Sequence, residues 1–552
     1  MRNFDALVLS VGLGASAMAC GNDGGATPSK TIDAGADSGD AAADGGDDAA
    51  SGPGVIVTDR GPVVGRAQGS VTSFLGIPYA APPIGDRRLK APEPHAPWTT
   101  PLQASSFGAA CPQGIDLTGA STVWDEDCLT LNVWSPEHAA GTTLPVMVFI
   151  HGGAFRNGSS NKPLYDGAAL AALGRVVVVS MNYRLGALGF MAHSALSAED
   201  SHGSSGNYGI LDQQAALRWV HSNVRGFGGD PEKVTIFGES AGSMSVCVHL
   251  VSPLSAGLFR RGMGESGSCL YFTRPLRGAQ ASAETRGAAV AVALGCQGDD
   301  VPSCLRAKPA SAFLDAEDDP SSDVGFAEAM PQPNIDGYVL SESPSASFVA
   351  GRFAEVDAFL AGTNADDATL FTRQKMIANE TEYRAAIFAI TPDHADDVLS
   401  FYPASGGAYG SAKAAYDAFI TDFTFLCPTR KQLAALAARG VATYLYRFEK
   451  LTPFGRASGL GVYHAAELPF VFGNLSEVSG TSDAARALAA SMGGYWTRFA
   501  AAGDPNGNQA ASWPRFNLQS DAHLRIDDTS QAGSGWHAAE CAAMTGWFAP
   551  PP

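Results

Sequence analysis

Apolar residues form short, nearly continuous runs along most of the chain after residue 55. Leu144–His151 (LPVMVFIH) and Arg175–Arg184 (RVVVVSMNYR) are rich in β-branched residues. Strands that are buried on both faces have this pattern, because neither face needs polar side chains. Alanine-rich stretches alternate with these runs, and Leu217, Val220 and Val224 lie on one helical stripe. The alternation predicts an α/β fold with a mostly parallel central sheet and helices on both faces.

Later parts of the chain continue the same pattern. Further strands are predicted at Val356–Gly362 and Ala442–Glu449. Stretches rich in Ser, Pro and Ala, at about 300–350 and 400–420, predict excursions above the sheet. Because no strong linker interrupts the pattern, we predict one domain over residues 55–552.

The first 54 residues differ in composition from the rest. One arginine precedes an apolar stretch from Ala6 to Ala19, which suits a signal-peptide core and is too short for a stable membrane anchor. We therefore predict a signal peptide at residues 1–19 and export of the protein. Residues 20–54 are mostly Gly, Ala, Asp, Ser and Thr, which predicts a disordered acidic tether.

Two cleavage sites are compatible with this leader. Small residues directly before Cys20 resemble a bacterial lipobox, which would make Cys20 the lipidated first residue of the mature chain. Ala17-Met18-Ala19 also fits an ordinary signal-peptidase site. The protein is accordingly predicted to be either a lipoprotein of the cell envelope or a secreted or periplasmic protein. Only a lipid anchor on Cys20 would attach it to a membrane.

Charge and cysteine content narrow the function classes. The net charge of −19 argues against nucleic acid as a direct partner. The cysteine count of nine is odd, and a lipidated Cys20 would leave eight cysteines for four disulfides. No C-x-x-C pair or histidine cluster indicates zinc, so no metal is predicted.

One stretch, VTIFGESAGSMSV (Val234–Val246), has the pattern of a catalytic turn. A β-branched and aromatic run stops at Gly-Glu-Ser-Ala-Gly, and small residues with helix tendency follow. A nucleophile elbow needs a strand before the serine and a helix after it, and both flanks are present. The alternative is an ordinary strand-to-helix turn that contains a serine. The context favours Ser240 as a nucleophile.

A serine nucleophile needs a base, and histidine is the usual one. Four histidines lie well beyond Ser240: His394, His464, His523 and His537. His464 follows the strand predicted at Ala442–Glu449, within the loop-like stretch GVYHAAELPFVFG. This position is typical of the histidine in α/β-hydrolases, where the chain order is serine, acid, histidine.

Four stretches of the chain resemble those of the type-B carboxylesterase and cholinesterase family of α/β-hydrolases. They are FGGDPEKVTIFGESAG (Phe227–Gly242), EDCLTLNVW (Glu126–Trp134), FLGIPYAAPP (Phe74–Pro83) and NYRLGALGF (Asn182–Phe190). The resemblance extends from about residue 55 to the C-terminus. It implies an α/β-hydrolase fold whose excursions form an active-site gorge. It also implies a serine ester hydrolase that works through an acyl-enzyme without a cofactor.

The resemblance assigns roles residue by residue. Ser240 matches the family nucleophile and His464 the general base. Asp367, in GTNADDATLF, stands where the family usually has glutamate as the triad acid, and Asp366 is the alternative. Because aspartate is one methylene group shorter, the acid loop or the histidine loop has to shift slightly.

The stretch HGGAF (His151–Phe155) resembles the oxyanion loop of the family, which is usually Gly-Gly-Gly. The implied oxyanion donors are the backbone N–H groups of Gly153, Ala154 and Ala241. The resemblance also implies disulfides. The matching pairs are Cys111–Cys128, Cys296–Cys304 and Cys427–Cys541, while Cys247 and Cys269 are left over and could form a fourth pair.

Two alternatives concern function. Some relatives of this fold are adhesion or binding proteins without activity, and other esterases are specialised for lipid or polymer esters. For a small-molecule ester substrate, we predict a preference for uncharged short- to medium-chain esters over choline esters. Family members that hydrolyse choline esters hold the cation over a tryptophan in the first disulfide loop. Here the only tryptophan of that loop, Trp124, lies close to Cys128, although Asp116, Asp125, Glu126 and Asp127 are nearby.

Overall fold

The computed structural model of the protein describes residues 54–114, 122–139, 141–270, 273–278, 282–318, 332–507 and 511–548. The predicted signal peptide, Cys20 and all of the predicted tether except Gly54 lie outside these residues. In the described part of the chain, no helix combines the length and the hydropathy needed to cross a membrane.

An eleven-stranded sheet forms the centre of the described structure. In chain order its strands are β1 (Arg66–Gln68), β2 (Val71–Pro78), β3 (Thr130–Pro136), β4 (Leu144–Ile150), β5 (Val177–Met181), β6 (Gly229–Glu239), β7 (Arg261–Glu265), β8 (Ala358–Asn364), β9 (Ala442–Phe448), β10 (Ala522–Ile526) and β11 (Gln531–Ser534). Their spatial order is β11-β10-β9-β8-β7-β6-β4-β5-β3-β2-β1. All pairs from β10 to β5 in that order are parallel, whereas both ends of the sheet are antiparallel. The predicted parallel centre is therefore confirmed.

The central strands divide their side chains between two hydrophobic cores. In β4, Val146, Val148 and Ile150 belong to the core on one face. Met147 and Phe149 belong to the core on the other face. Burial on both faces explains why this run contains so few polar residues.

Helices connect the parallel strands and cover both faces of the sheet. The α-helices span Ala168–Gly174, Gly186–Phe190, Ser194–Glu199, Tyr208–Asn223, Ala241–Val251, Ala283–Ala293, Val301–Ala307, Ala310–Asp318, Pro344–Ala350, Thr369–Thr372, Glu380–Ile390, Ala395–Phe401, Ala412–Thr421, Cys427–Ala437, Pro453–Ser458, Leu468–Phe472, Asp483–Ala502 and Ala538–Met544. A π-helical turn spans Asp422–Leu426. Short 3₁₀ turns occur at Gly85–Arg87, Pro163–Tyr165, Val224–Phe227, Pro253–Ser255 and Thr545–Phe548.

Two smaller sheets lie beside the central one. One joins Val55–Val57, Pro62–Val64 and Leu102–Gln103, and the other joins Arg274–Pro275 to Asn334–Ile335. The stretches predicted as excursions contain several of the helices named above.

Four disulfides occur in the described residues. They are Cys111–Cys128, Cys247–Cys269, Cys296–Cys304 and Cys427–Cys541. Three of these pairs are the ones that the family resemblance implies, and the fourth joins the two cysteines that it left over. The bond with the longest separation, 114 residues, ties the C-terminal helix to the helix Cys427–Ala437.

Candidate active site

Ser240 lies in a sharp turn between β6 and the helix Ala241–Val251, which we call the nucleophile helix. Its φ of 57° and ψ of −123° lie outside the regions that serine ordinarily adopts. A Cβ atom at Gly242 would lie 2.0 Å from the carbonyl oxygen of Ile150. A Cβ atom at Gly238 would lie 2.6 Å from the backbone of Gly242. Both glycines are therefore required by the close backbone approach of a nucleophile elbow.

His464 and Asp367 contact each other directly. Nδ1 of His464 is 2.8 Å from Oδ1 of Asp367, and both side chains are buried. Asp367 follows β8 and His464 follows β9, and these strands are parallel neighbours in the sheet. Parallel strands end at the same edge, so the two loops meet beside the nucleophile turn. The shorter aspartate side chain reaches the ring without the extra methylene group of glutamate.

The second carboxylate oxygen of Asp367 is held by two donors. The backbone N–H of Asn364 and the hydroxyl of Ser266 donate to Oδ2 at 2.8 and 2.9 Å. Ser266 is buried, and its φ of 47° is left-handed. Sequence reasoning missed this residue. The available signal was the Gly-Glu-Ser at 264–266, which repeats the nucleophile tripeptide at the end of the adjacent strand.

Asp366 faces the backbone of the histidine loop rather than the histidine ring. Its Oδ2 accepts a hydrogen bond from the N–H of Val462 at 2.8 Å. Its own N–H donates to the carbonyl oxygen of Val462 at 3.0 Å. Burial raises the pKa of this carboxyl group. Of the two candidate acids, Asp367 is thus the one that touches the ring, while Asp366 fixes the loop leading to His464.

The outer nitrogen of the His464 ring faces Glu239, the residue before Ser240. Nε2 lies 2.9 Å from Oε1 of Glu239, but off the line of a hydrogen bond. Within the described residues, Nε2 has no hydrogen bond to Ser240 Oγ either. Burial alone would lower the pKa of His464, but the charge of Glu239 and the hydrogen bond to Asp367 raise it well above its usual value. In this structure Nε2 therefore faces the carboxylate of Glu239 and not the hydroxyl of Ser240.

Two more glutamates are buried in the same region. Glu265 accepts a hydrogen bond from Nε1 of Trp496 at 2.6 Å. Burial raises the pKa of Glu265 to about 8, an effect that the Trp496 hydrogen bond opposes and the charge of Glu239 reinforces. Burial and the charge of Glu239 raise the pKa of Glu467 well above its usual value. In both carboxyl groups burial therefore favours the uncharged form. Across the described residues, no set of three His, Cys, Asp or Glu side chains is arranged to hold a metal ion.

The predicted oxyanion loop follows β4 and packs against the nucleophile turn. A Cβ atom at Gly152 would lie 3.0 Å from the Cβ of Ser240. Gly153 and Ala154 have φ angles of 111° and 55°. Ala154 thus adopts a conformation that favours glycine, and its N–H is retained. Ala241 begins the nucleophile helix directly after Ser240, so all three predicted donors lie on the two backbone segments that meet at the serine.

Gln113 holds the far end of the oxyanion loop. Its side-chain amide donates to the carbonyl oxygen of Gly158 at 2.9 Å, and the N–H of Gly158 donates back at 2.9 Å. Burial lowers the pKa of His151 to about 4, so the ring that packs beside Gly158 is uncharged. Sequence reasoning missed Gln113, because nothing in the local pattern marks a glutamine two residues after Cys111.

Comparison with known proteins identifies the family of this chain. The sequence model of the Carboxylesterase family matches residues 53–544. The chain belongs to the carboxylesterase family. It is 37% identical over 496 residues to a fumonisin B1 esterase of Sphingopyxis macrogoltabida, an alignment that covers 87% of each chain. It is 35% identical over 489 residues to a para-nitrobenzyl esterase of Bacillus subtilis (strain 168), covering 86% of this chain and 94% of the relative.

Solved structures lead to the same conclusion. A PNB esterase and a thermophilic PNB esterase each superpose with a TM-score of 0.76 at 33% identity, covering 89% of this chain and 99% of theirs. The predicted family, the α/β-hydrolase fold and the predicted ester hydrolysis are therefore confirmed. This carboxylesterase is a hydrolase of small-molecule carboxylic esters, and the alternative of an inactive adhesion protein is set aside.

Two phenylalanine rings flank His464 in this carboxylesterase. The ring centroids of Phe371 and Phe425 lie 4.9 and 5.1 Å from the imidazole. Phe425 belongs to the π-helical turn Asp422–Leu426, a rare kind of turn that is frequent at functional sites. The two rings give the histidine an apolar wall.

Proposed function

We propose that Ser240, His464 and Asp367 form the catalytic triad of this carboxylesterase. The 2.8 Å contact between His464 Nδ1 and Asp367 Oδ1 carries the proposal. A carboxylate at that distance keeps the proton on Nδ1 and leaves Nε2 to exchange a proton with the nucleophile. The strained turn at Ser240 presents its hydroxyl at the same edge of the sheet.

In the proposed reaction, Ser240 Oγ attacks the acyl carbon and His464 Nε2 takes its proton. The carbonyl oxygen becomes negative and accepts hydrogen bonds from the N–H groups of Gly153, Ala154 and Ala241. The intermediate then expels the alcohol, which receives the proton from Nε2. Water repeats the two steps on the acyl-enzyme, releases the carboxylic acid and restores Ser240.

Glu239 gives this site a resting arrangement that differs from the reacting one. The charge of Glu239 stabilises the imidazolium form of His464, which cannot accept a proton. We expect the uncharged ring to release Glu239 and turn Nε2 toward Ser240. The pH at which the ring loses its proton then sets the lower limit of the activity range.

A serine substitution tests the proposed nucleophile. Ser240→Ala is expected to abolish hydrolysis of p-nitrophenyl butyrate and labelling by a fluorophosphonate probe, because no other group at the turn supplies the attacking oxygen. Ser252→Ala is the matched control, since Ser252 is buried at the other end of the nucleophile helix. Wild-type-like turnover in the Ser240 variant would refute the assignment.

For the substrate, we propose uncharged short- to medium-chain esters in preference to choline esters. The side chain of Trp124 packs against a cluster of helices, and its backbone forms a β-bridge with Ala110. Trp124 therefore has a structural role at the base of the first disulfide loop. The apolar wall of Phe371 and Phe425 beside His464 suits an uncharged group. The name of the para-nitrobenzyl esterase likewise refers to an ester whose alcohol group, para-nitrobenzyl, is uncharged. Asp116 lies outside the described residues.

This substrate proposal is tested with matched thioesters. The values of kcat/KM for butyrylthiocholine and for an uncharged butyryl thioester are compared, together with a chain-length series of p-nitrophenyl esters. We expect the uncharged thioester and acyl chains of short to medium length to react faster. A preference of more than about tenfold for the choline ester, equivalent to the strength of one cation–π contact, would overturn the proposal.

We propose further that the protein is exported and carries a lipid on Cys20. The leader and the tether support this, and the remaining eight of the nine cysteines are all paired in disulfides. Disulfides are typical of exported proteins. Mass spectrometry of the native protein should find a diacylglyceryl group on Cys20 and membrane association that Cys20→Ala abolishes. A soluble native protein with an unmodified N-terminus would contradict the anchor.

A further inference from the structure

The last residue of β7 and the four residues after it, Glu265–Cys269, connect the nucleophile turn to the acid loop, and we call them the bridging segment. The N–H of Ser240 donates to the carbonyl oxygen of Glu265 at 2.9 Å. One residue later, the hydroxyl of Ser266 donates to Asp367 at 2.9 Å. A single short segment therefore touches the nucleophile through its backbone and the acid through a side chain.

The bridging segment holds Ser266 in an unfavourable backbone conformation. A non-glycine residue with a φ of 47° persists only where its surroundings fix it. Its N–H donates to the carbonyl oxygen of Gly362 at 2.9 Å, and the hydroxyl of Ser243 donates to the carbonyl oxygen of Gly267 at 2.6 Å. A Cβ atom at Gly267 would lie 2.6 Å from the carbonyl oxygen of Ser240, so the segment packs directly on the nucleophile turn.

A covalent bond fixes the far end of the bridging segment. Cys269 forms a disulfide with Cys247, and both residues are fully buried. Cys247 lies on the nucleophile helix seven residues after Ser240, which corresponds to two helical turns. The disulfide therefore joins the helix that begins at the nucleophile to the segment that supports the acid.

The same end of the segment also contacts the third side of the site. The N–H of Cys269 donates to Oε1 of Gln432 at 2.7 Å. Gln432 lies in the helix Cys427–Ala437, which continues directly from the π-helical turn that carries Phe425. Phe425 in turn packs on the ring of His464. The disulfide is therefore linked to the nucleophile helix, to the segment that holds Asp367 and, through Gln432, to the helix beside His464.

We propose that the Cys247–Cys269 disulfide is a positioning element of the active site, which acts on Asp367 through Ser266. This inference rests on the proposed triad. Without the disulfide, Ser266 relaxes from its left-handed conformation and its hydroxyl moves away from Asp367. The orientation of the His464 ring then becomes less exact, which lowers kcat. Because neither cysteine touches the substrate site, KM changes little.

Another disulfide in the same chain is a matched control. Cys296 and Cys304 are joined across a short loop and pack in a helical cluster that contains none of the proposed triad residues. Removing that bond should lower the melting temperature without changing kcat. If the Cys247–Cys269 bond had a purely structural role, its removal would likewise lower the melting temperature and leave kcat unchanged. The two double variants therefore distinguish a structural role from a positioning role.

The experiment compares Cys247→Ala/Cys269→Ala with Cys296→Ala/Cys304→Ala in the full chain, by kcat and KM for p-nitrophenyl butyrate and by thermal unfolding. We expect kcat to fall about tenfold or more in the first variant and less than about twofold in the second, since a misplacement of 1 Å can cost about a hundredfold. Equal kcat values in the two variants would overturn the proposal.

A double-mutant cycle tests the route through Ser266. Ser266→Ala alone should lower kcat, and adding Cys247→Ala/Cys269→Ala should lower it by no more than about a further twofold. Full additivity of the two effects would overturn the route. If that cysteine variant does not fold, Cys247→Ala/Cys269→Val takes its place, because it also removes the disulfide and fills more of the space that the two sulfur atoms leave. Fluorophosphonate labelling of wild type but not of Ser240→Ala tests the triad separately.

Discussion

The nucleophile and the base of this carboxylesterase reach the same edge of the sheet by different means. Ser240 is positioned by the residues around it, in one continuous strand, turn and helix. His464 is positioned by Asp367, 97 residues earlier in the chain, and by the backbone contacts of Asp366. The nucleophile side therefore depends on the close backbone packing of one turn, and the base side depends on hydrogen bonds between distant loops. Substitutions on the two sides should fail in different ways.

The largest loss of rate with an intact fold is expected on the base side. Asp367→Asn should lower kcat by about 10⁴-fold, because the amide favours the wrong histidine tautomer. Asp366→Asn is the control, since its side-chain oxygen still accepts the Val462 N–H, and it should cost much less. Steady-state kinetics of both variants with one p-nitrophenyl ester measures the difference. The reverse ranking would move the acid to Asp366.

A substitution on the nucleophile side should instead damage the fold. Gly242→Ala places a Cβ atom 2.0 Å from the carbonyl oxygen of Ile150, a backbone atom that must shift to admit it. We expect a loss of about 3 kcal/mol in the free energy of unfolding, together with loss of activity. Gly546→Ala is the control, because its Cβ atom meets no atom within 4 Å. Equal melting temperatures would show that the turn is not sterically required.

A smaller effect, visible in the pH profile, is expected where the two sides meet. Glu239→Gln removes the negative charge that raises the pKa of His464. The ring then loses its proton at lower pH, so the acid limb of kcat/KM should move to lower pH. Profiles measured from pH 4 to 9 on both enzymes test this. An acid limb that stays in place or moves to higher pH would exclude Glu239 as the group that holds the imidazolium.

The smallest effect concerns stability. The pKa of Glu265 is about 8 in the folded protein, above its value in the unfolded chain. Its proton therefore stabilises the fold at low pH, and this contribution is lost as the pH rises toward 8. Glu265→Gln keeps an acceptor for Trp496 and has no carboxyl proton to lose. The melting temperature of this variant minus that of wild type should therefore increase as the pH rises from 5 to 8. A constant difference across that range would contradict a buried neutral Glu265.

Much of the fold was predictable because buried strands leave a pattern in the chain. The run at Leu144–His151 contains β4, and the strand predicted at Ala442–Glu449 is β9 with one residue fewer. The strand predicted at Val356–Gly362 instead spans Ala358–Asn364. The apolar pattern does not predict the end of this strand, because Asn364 is polar. It is nevertheless buried, and its side-chain amide donates to the carbonyl oxygen of Tyr463 at 2.8 Å.

The sequence by itself determined the local features of this protein. The order of strands and helices, the glycines around Ser240, and the motifs that resemble the carboxylesterase family all depend on residues close together in the chain. Only the tertiary structure decided which groups meet across the site: Ser266 with Asp367, Glu239 with His464, and Gln113 with Gly158. A contact between residues 45 or more positions apart leaves no periodic pattern, because it depends on how the folded chain brings distant loops together.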